Sequence, residues 1–268
     1  MYPILFRLFG MEIRAYGVMI AIASIAGTIL GAREAKRRGL NPELVYDFVF
    51  YAVLAAIIGS RIYYVLFFDP AYFIKNPLEI FAIWKGGLAI HGGLIAGLLT
   101  AIWFTKKHKL SFWFFADTLA PSVILGQAIG RGACTLNGCS YGKPTNLPWA
   151  ITFTNPDAAA PLGIPLHPTQ LYELILDLCI FALVFVLRKK IKFNGQLFLI
   201  YGMAYGIARF IVEGFRGDQL TIGGYISTAQ SISVVIFIAA LALYLYLKKL
   251  EPPVSAKGGL KKKAIHNS

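Results

Sequence analysis

The sequence predicts an all-α integral membrane protein: seven transmembrane helices carrying a small, irregular extracytoplasmic head. Three observations carry that expectation. The chain of 268 residues is 57% hydrophobic, with a mean hydropathy of +0.63, more apolar than an ordinary soluble domain. Its apolar residues run in stretches of about 20, the length a helix needs to cross the hydrocarbon core. Its basic residues gather in the short breaks between those stretches, as they do in loops that set membrane topology.

In order, the first span is expected over residues 16–32, ended by the basic AREAKRRG. The second covers 44–68 and closes on GSRIYYVLFFD. The third covers 86–104, entered through the amphipathic NPLEIFAIWKGG and ended by TKKHK. The fourth covers 112–130. A polar stretch over 132–167 follows, holding Pro144, Pro148, Pro161 and Pro165, which disfavour regular structure and mark a head insertion. The fifth span covers 168–187 and ends in RKKIK; the sixth covers 195–212; the loop FRGDQLTIGGY leads to the seventh, 226–247. Residues 1–250 thus read as one membrane domain. The Lys-rich tail, 251–268, is expected to be disordered. The opening MYPILFRLFGMEIRAYG lacks a small-residue cleavage site, so no cleavable signal peptide is expected.

Most of the 26 Lys and Arg fall at 33–38, 106–109, 188–192 and 248–263, all on one side of the predicted bundle. The positive-inside rule makes that side cytoplasmic, with the N-terminus outside and the C-terminus inside. The net charge of +13 is then a topology signal. A nucleic-acid partner is not expected, because no basic face with interleaved readout residues accompanies the charge.

The opposite side collects Arg61, His91, Arg131, Asn137, His167, Gln170, Glu173, Arg209, Glu213, Arg216 and Asp218. Several lie inside apolar runs, where a charge costs a few kcal/mol unless it is paired or faces a wet cavity. Arg209 and Glu213 are four apart, a spacing that allows an ion pair on one helix face. Arginine grips phosphate bidentately and keeps its charge at any working pH. Arg131 and Arg209 at similar depth therefore suggest a clamp for a lipid phosphate. Tyr16 and Tyr205 stand at comparable depth as hydroxyl donors. His91, between paired glycines in GGLAIHGG, titrates near neutrality and suits a general base. HPTQLYE, 167–173, reads first as a Pro-led helix start.

Three cysteines make no disulfide framework. Cys179 lies in an apolar run and reads as a small buried hydrophobe. Cys134 and Cys139, spaced C-x4-C, lack the further ligands of a zinc site. A disulfide between them is open if the backbone brings them within reach. No phosphate-binding Walker loop, Ser–His–Asp order or HExxH motif is present.

Seven blocks in order resemble the prolipoprotein diacylglyceryl transferase family. They are RAYG (14–17), GSRIYYVLF (59–67), GGLAIHGG (86–93), GR with LNG and YGKPT (130–145), HPTQLYE (167–173), YGIARFIVEGFRGD (205–218) and STAQSIS (227–233). The resemblance implies a transferase of the bacterial plasma membrane that uses phosphatidylglycerol. It would move the diacylglyceryl group to the lipobox cysteine thiol in the signal peptide of a prolipoprotein, with no cofactor. Partners would be those two substrates and the surrounding membrane lipids. Matching positions give His91, Arg131, Arg209 and Tyr205 as catalytic, and Tyr16, Arg131, Asn137, Gly142, Glu213 and Arg216 as substrate-binding. The family signature resembles G-R-x-G-N-F-x-N-G-E-x-x-G; here Cys134 and Cys139 replace its first Asn and its Glu, and Asn137 is retained. The departure fits either a divergent branch with the same chemistry or a paralogue with altered or no transferase activity. A separate alternative is a non-catalytic lipid-binding or transport membrane protein, which would be expected to show internal repeats.

Overall fold

A computed structural model describes residues 3–8, 11–219, 221–222 and 226–250. The chain begins with a hairpin, β1 (Ile4–Leu8) and β2 (Met11–Arg14), that runs into α1 (Ala15–Arg37). Then come α2 (Glu43–Phe67), α3 (Pro70–Lys75), 3-10 turns at Pro77–Phe81 and Ile83–Lys85, α4 (Ile90–Lys107) and α5 (Phe112–Asn137). The short strands β3 (Ile151–Thr152) and β4 (Pro165–Leu166) precede α6 (Thr169–Leu187) and α7 (Gln196–Glu213). Strands β5 (Thr221–Ile222) and β6 (Ile226–Ser227) precede α8 (Thr228–Leu250). The chain is mostly helical, as expected, and three short antiparallel strand pairs accompany the helices among the described residues. The basic tail, 251–268, lies outside the described residues.

Among the described residues five helices, α1, α2, α5, α6 and α8, are long and apolar enough to cross a membrane. The expected third and sixth spans correspond to α4 and α7, of 18 residues each. Lys106 and Lys107 occupy the last turn of α4, and α7 contains Arg209 and Glu213, so their apolar runs are shorter. The helices expose apolar side chains in stripes: Leu54, Ile58, Ile62 and Leu66, four apart on α2, are all exposed. A surface that apolar needs a lipid or protein cover.

The chain divides into two compact units, 1–31 with 116–268, and 32–115. In the second unit, α2 and α4 pack backbone to backbone. A Cβ on Gly59 would sit 2.5 Å from Ala96 Cβ and 2.7 Å from the Gly92 carbonyl oxygen. Small residues permit such approaches where no hydrophobic drive exists between helices. Below the contact, Phe104 meets Phe48 and Phe115 with ring centroids 5.5 and 5.8 Å away. Arg61 of α2 is buried and donates to four backbone carbonyls: Glu79 (2.6 Å), Gly86 (2.8 Å), Ile80 (2.9 Å) and Gly87 (3.0 Å). One guanidinium thereby ties the whole 79–87 segment to α2.

In the first unit, the core joins α5, α6 and α7 through Ala120, Ile124, Ile180, Val184, Leu197 and Tyr201. Asp117 caps α7: its carboxylate accepts from Gly195 N at 2.8 Å and Phe198 N at 2.9 Å, groups with no partner inside the helix. Gly206 brings α7 against α8, where a Cβ would lie 3.0 Å from the Ser233 carbonyl oxygen. Cys179, expected to be buried, is exposed on α6. α5 runs seven residues past its expected end, so Arg131, Cys134 and Asn137 stand on its last two turns rather than in a loop.

Candidate functional site

The last turns of α5, the first turn of α6 and the end of α7 bring four charged side chains together. Glu173 bridges two arginines: its Oε1 accepts from Arg209 Nη1 at 2.5 Å, and its Oε2 lies 2.9 Å from Arg131 Nη1. Arg209 Nη2 reaches Glu213 Oε2 at 2.6 Å, the i,i+4 pair on α7. Both carboxylates are buried, whereas the arginine side chains keep 20% (Arg131) and 16% (Arg209) of their exposure. The Glu173 contact to Arg131 has ion-pair distance without hydrogen-bond alignment, as does Glu213 Oε2 toward its arginines.

The network continues toward the 214–219 loop. Arg216 lies 3.8 Å from Glu213 and grips Asp218 through two bonds of 2.8 and 2.7 Å. Burial opposes the Arg216 charge, but Asp218 outweighs it, with Glu173 and Glu213 contributing, so its pKa is raised. Glu213 also accepts from Ser227 Oγ at 2.5 Å, and the Gln219 side chain donates to the Glu213 carbonyl. Asp177, one turn along α6 from Glu173, is buried, and its Oδ2 has no hydrogen-bond partner among the described residues.

Residues 138–145 are held beside this cluster by backbone pairing. Gly142 N donates to His167 O at 3.1 Å, Lys143 N to Phe215 O at 2.8 Å, and Gly217 N to Tyr141 O at 3.0 Å. Gly142 thus lies between two backbone segments. A Cβ there would collide with His167, and one on Gly217 would sit 2.7 Å from the Gly142 carbonyl oxygen. The HPTQLYE block does more than start a helix: Thr169 Oγ1 donates to Ser140 O at 2.7 Å and Gln170 Nε2 to Cys139 O at 2.9 Å. Those bonds hold a turn in which Gly138 (φ 76°) and Ser140 (φ 59°) are left-handed. The ring of His167 stands 5.3 Å from Phe215, and its Nδ1 is 3.3 Å from Tyr172 Oη.

Cys134 and Cys139 are free thiols, with Cys139 Sγ 3.9 Å from the Cys134 carbonyl oxygen. The adjoining Cys134 sulfur, together with burial, holds the Cys139 thiol above the ordinary thiol range. Asn137, the last residue of α5, offers its side chain to Cys139 and its carbonyl to Ala159 N at 3.0 Å.

Tyr16, in the first turn of α1, is half-exposed and within electrostatic range of Arg131, Cys134 and Cys139. Tyr205 of α7 is coupled to Arg131 and packs its ring 6.1 Å from Tyr201, whose hydroxyl donates to Gln127 at 2.5 Å. His91 belongs to the other unit. It is exposed in the first turn of α4, with its ring stacked on Tyr63 at 5.7 Å.

Sequence reasoning selected Arg131, Arg209, Glu213 and Arg216, and the structure brings these four into one network. It gave no site role to Glu173, which joins Arg131 to Arg209, nor to Asp177, Asp218 and Ser227, although Glu173 and Asp218 stood among the outer polar groups. A signal for the first two existed: carboxylates four apart inside an apolar run are costly unless they have cationic neighbours.

Comparison with known proteins covers the stretch that holds these residues. Residues 3–246 match the family model described as prolipoprotein diacylglyceryl transferase. Three relatives carry the name phosphatidylglycerol–prolipoprotein diacylglyceryl transferase. That of Finegoldia magna is 42% identical over 245 residues, covering 91% of this chain and 95% of its own. That of Synechocystis is 41% identical over 263 residues, covering 94% and 92%. That of Clostridioides difficile is 40% identical over 244 residues, covering 91% and 94%.

Proposed function

This chain belongs to the prolipoprotein diacylglyceryl transferase family, and we propose that it transfers the diacylglyceryl group of phosphatidylglycerol to the lipobox cysteine thiol of a prolipoprotein. A C–S bond forms at the glycerol carbon, the C–O bond to phosphate breaks, and glycerol 1-phosphate leaves. The acceptor cysteine supplies the nucleophile. The observation that carries the reading is the pair of arginines, Arg131 and Arg209, joined within one ion-pair network on apolar helices.

In this reading the two guanidiniums hold the phosphate and stabilise the negative charge that grows on it as the C–O bond breaks. Tyr16 and Tyr205 orient the glycerol and phosphate oxygens, and Asn137 lines the headgroup side. Glu213 fixes the Arg209 rotamer, and Arg216 lies 3.8 Å from the same carboxylate on the substrate-binding side. Gly142 acts through the backbone crossing it permits. His91 is assigned the thiol proton on its family position, because the thiolate is the competent nucleophile. The seven helices α1, α2, α4, α5, α6, α7 and α8 would span the bacterial plasma membrane, N-terminus outside and C-terminus cytoplasmic. Residues 138–167 would form the outer head. Lipid would enter sideways between helices, which keeps its acyl chains out of water.

The departure at Cys134 and Cys139 is the one observation that favours the second reading, a paralogue of altered activity. Complementation of a cell that lacks its own transferase separates the two. Growth and thioether-modified lipoprotein support the transferase; failure with normal membrane expression supports the paralogue.

A further inference from the structure

The charged cluster has a property that the phosphate-clamp reading does not explain. Three guanidiniums, on Arg131, Arg209 and Arg216, meet three carboxylates, on Glu173, Glu213 and Asp218. The groups neutralise one another. Asp177, buried one turn further along α6 and in electrostatic contact with Arg131, Glu173 and Arg209, can only add negative charge. The exposed Lys143 bonds its ammonium to the Gly214 carbonyl at 2.9 Å and keeps its charge, but it joins none of the ion pairs among the described residues. A phosphodiester monoanion entering between Arg131 and Arg209 would meet guanidiniums already paired with carboxylates. It would leave that cluster of three arginines and three carboxylates net negative in a low-dielectric setting, which is costly.

Glu173 has the geometry to resolve this. It is the only one of the three carboxylates that touches both Arg131 and Arg209, so its oxygens stand where two phosphate oxygens would have to stand. Its contact with Arg131 is an ion pair without hydrogen-bond alignment, the weaker of its two contacts. Glu213 is held differently, by Ser227 as well as Arg209, and Asp218 faces Arg216 alone among the arginines.

We propose that Glu173 is a resident anion: it occupies the phosphate position between Arg131 and Arg209 in the empty enzyme and gives it up, by taking a proton, when the lipid phosphate binds. The inference rests on the phosphate-clamp reading of Arg131 and Arg209. Glu173 is on this account a positioning residue that sets the charge of the clamp. After transfer the leaving phosphate monoester carries more negative charge than the diester did. Glu173 then releases its proton to solvent, and return of the ionised carboxylate to Arg131 expels the monoester.

The test uses full-length protein in detergent micelles and glycerophosphoglycerol, the deacylated headgroup, whose phosphodiester stays monoanionic across the working pH range. Binding is followed by phosphorus NMR line broadening. Glu173→Gln, which keeps the shape and removes the charge, is expected to bind the probe at least tenfold more tightly than wild type at pH 7. Adding Arg131→Ala is expected to cancel that gain. In wild type, binding is expected to tighten as the pH falls, because the displaced carboxylate takes up a proton. The groups near Glu173 that also bear on this are Arg131, Arg209, Arg216, Asp177, Glu213 and Cys134, and Glu173→Gln must flatten the dependence to assign it to Glu173. In turnover the same variant lowers KM for the lipid and lowers kcat through slow product release.

Equal or weaker binding by Glu173→Gln, with wild-type binding still lost in Arg131→Ala, overturns the resident-anion role and leaves the clamp standing. Binding that ignores both Arg131→Ala and Arg209→Ala overturns the clamp itself. If Glu173→Gln does not fold, the wild-type pH dependence decides: a flat profile sinks the proposal.

Discussion

Two parts of this molecule bury arginine inside apolar helices and satisfy it in opposite ways. Arg61 of α2 is enclosed by four backbone carbonyls, with the rings of Phe73 and Tyr64 at 5.2 and 5.8 Å, and no carboxylate pairs with it among the described residues. Arg131 and Arg209 are met by side-chain carboxylates and keep part of their surface open. A carbonyl cage is part of the chain's own path and cannot be exchanged for a ligand without unfolding residues 79–87. An ion pair can be exchanged by a rotamer change or a proton. The same residue type on apolar helices therefore serves as a staple in one place and as a candidate ligand grip in the other.

Substitutions at the three arginines should separate along that line. The largest effect is expected for Arg131→Ala and Arg209→Ala: turnover of phosphatidylglycerol with a lipobox peptide should fall about a thousandfold, on the order of 3–4 kcal/mol of transition-state stabilisation. Helical content should stay near wild type. Lysine at either position restores charge without the bidentate fork, so rescue should be partial. Full turnover in both alanine variants would end the assignment.

Arg61→Ala should instead act on stability. Four carbonyls in an apolar setting lose a charged donor, a cost on the order of 3 kcal/mol. Thermal unfolding in detergent should shift down, and proteolytic nicking should concentrate between 76 and 89. The comparison breaks if Arg61→Ala abolishes turnover while its melting temperature is unchanged.

Much of this arrangement was legible in the sequence, but the distinction between the two kinds of arginine was not. Apolar run length located the helices closely: the second span, expected over 44–68, is Glu43–Phe67. Arg209 and Glu213 share one helix, so their pairing follows from spacing alone. The partners of Arg61 are backbone carbonyls 18 to 26 residues away, and no residue identity records them. Glu173 was hidden for another reason: HPTQLYE is a complete helix-entry pattern, so its polar residues already had an explanation. The structure gives three of them further partners, Ser140 for Thr169, Cys139 for Gln170 and two arginines for Glu173. Two of the three strand pairs escaped because two-residue strands are shorter than any readable alternation.

His91 sharpens the comparison from the second unit. It lies in the first turn of α4, immediately beyond the segment that Arg61 holds: Arg61 binds the Gly86 and Gly87 carbonyls, and Ala89 N donates to Ser60 O at 3.1 Å. His91→Asn should lower turnover roughly a hundredfold and change the pH–rate profile, as loss of a general base does. An unchanged profile would remove the histidine from that role. Arg61→Lys, a milder insult to the cage, should shift the same rate through position alone, lowering turnover without altering the profile's shape.

The smallest effect concerns how the grip is aimed. Asp117 caps α7 at the end opposite Arg209 and Glu213, through bonds to Gly195 N and Phe198 N. Asp117→Ala should cost about 1 kcal/mol of stability, the usual value of a helix cap. Arg209 stands three and a half turns away, on a helix pinned along its length by the Tyr201–Gln127 bond and the close approach at Gly206. Loosening the far end should therefore leave the Arg209–Glu173 pair in place. Measured together, a lowered melting temperature with unchanged KM for the lipid would show that the grip is set locally by its carboxylates. A raised KM would show instead that the cap helps to set the height of the arginine, and that the exchangeable site depends on a fixed one after all.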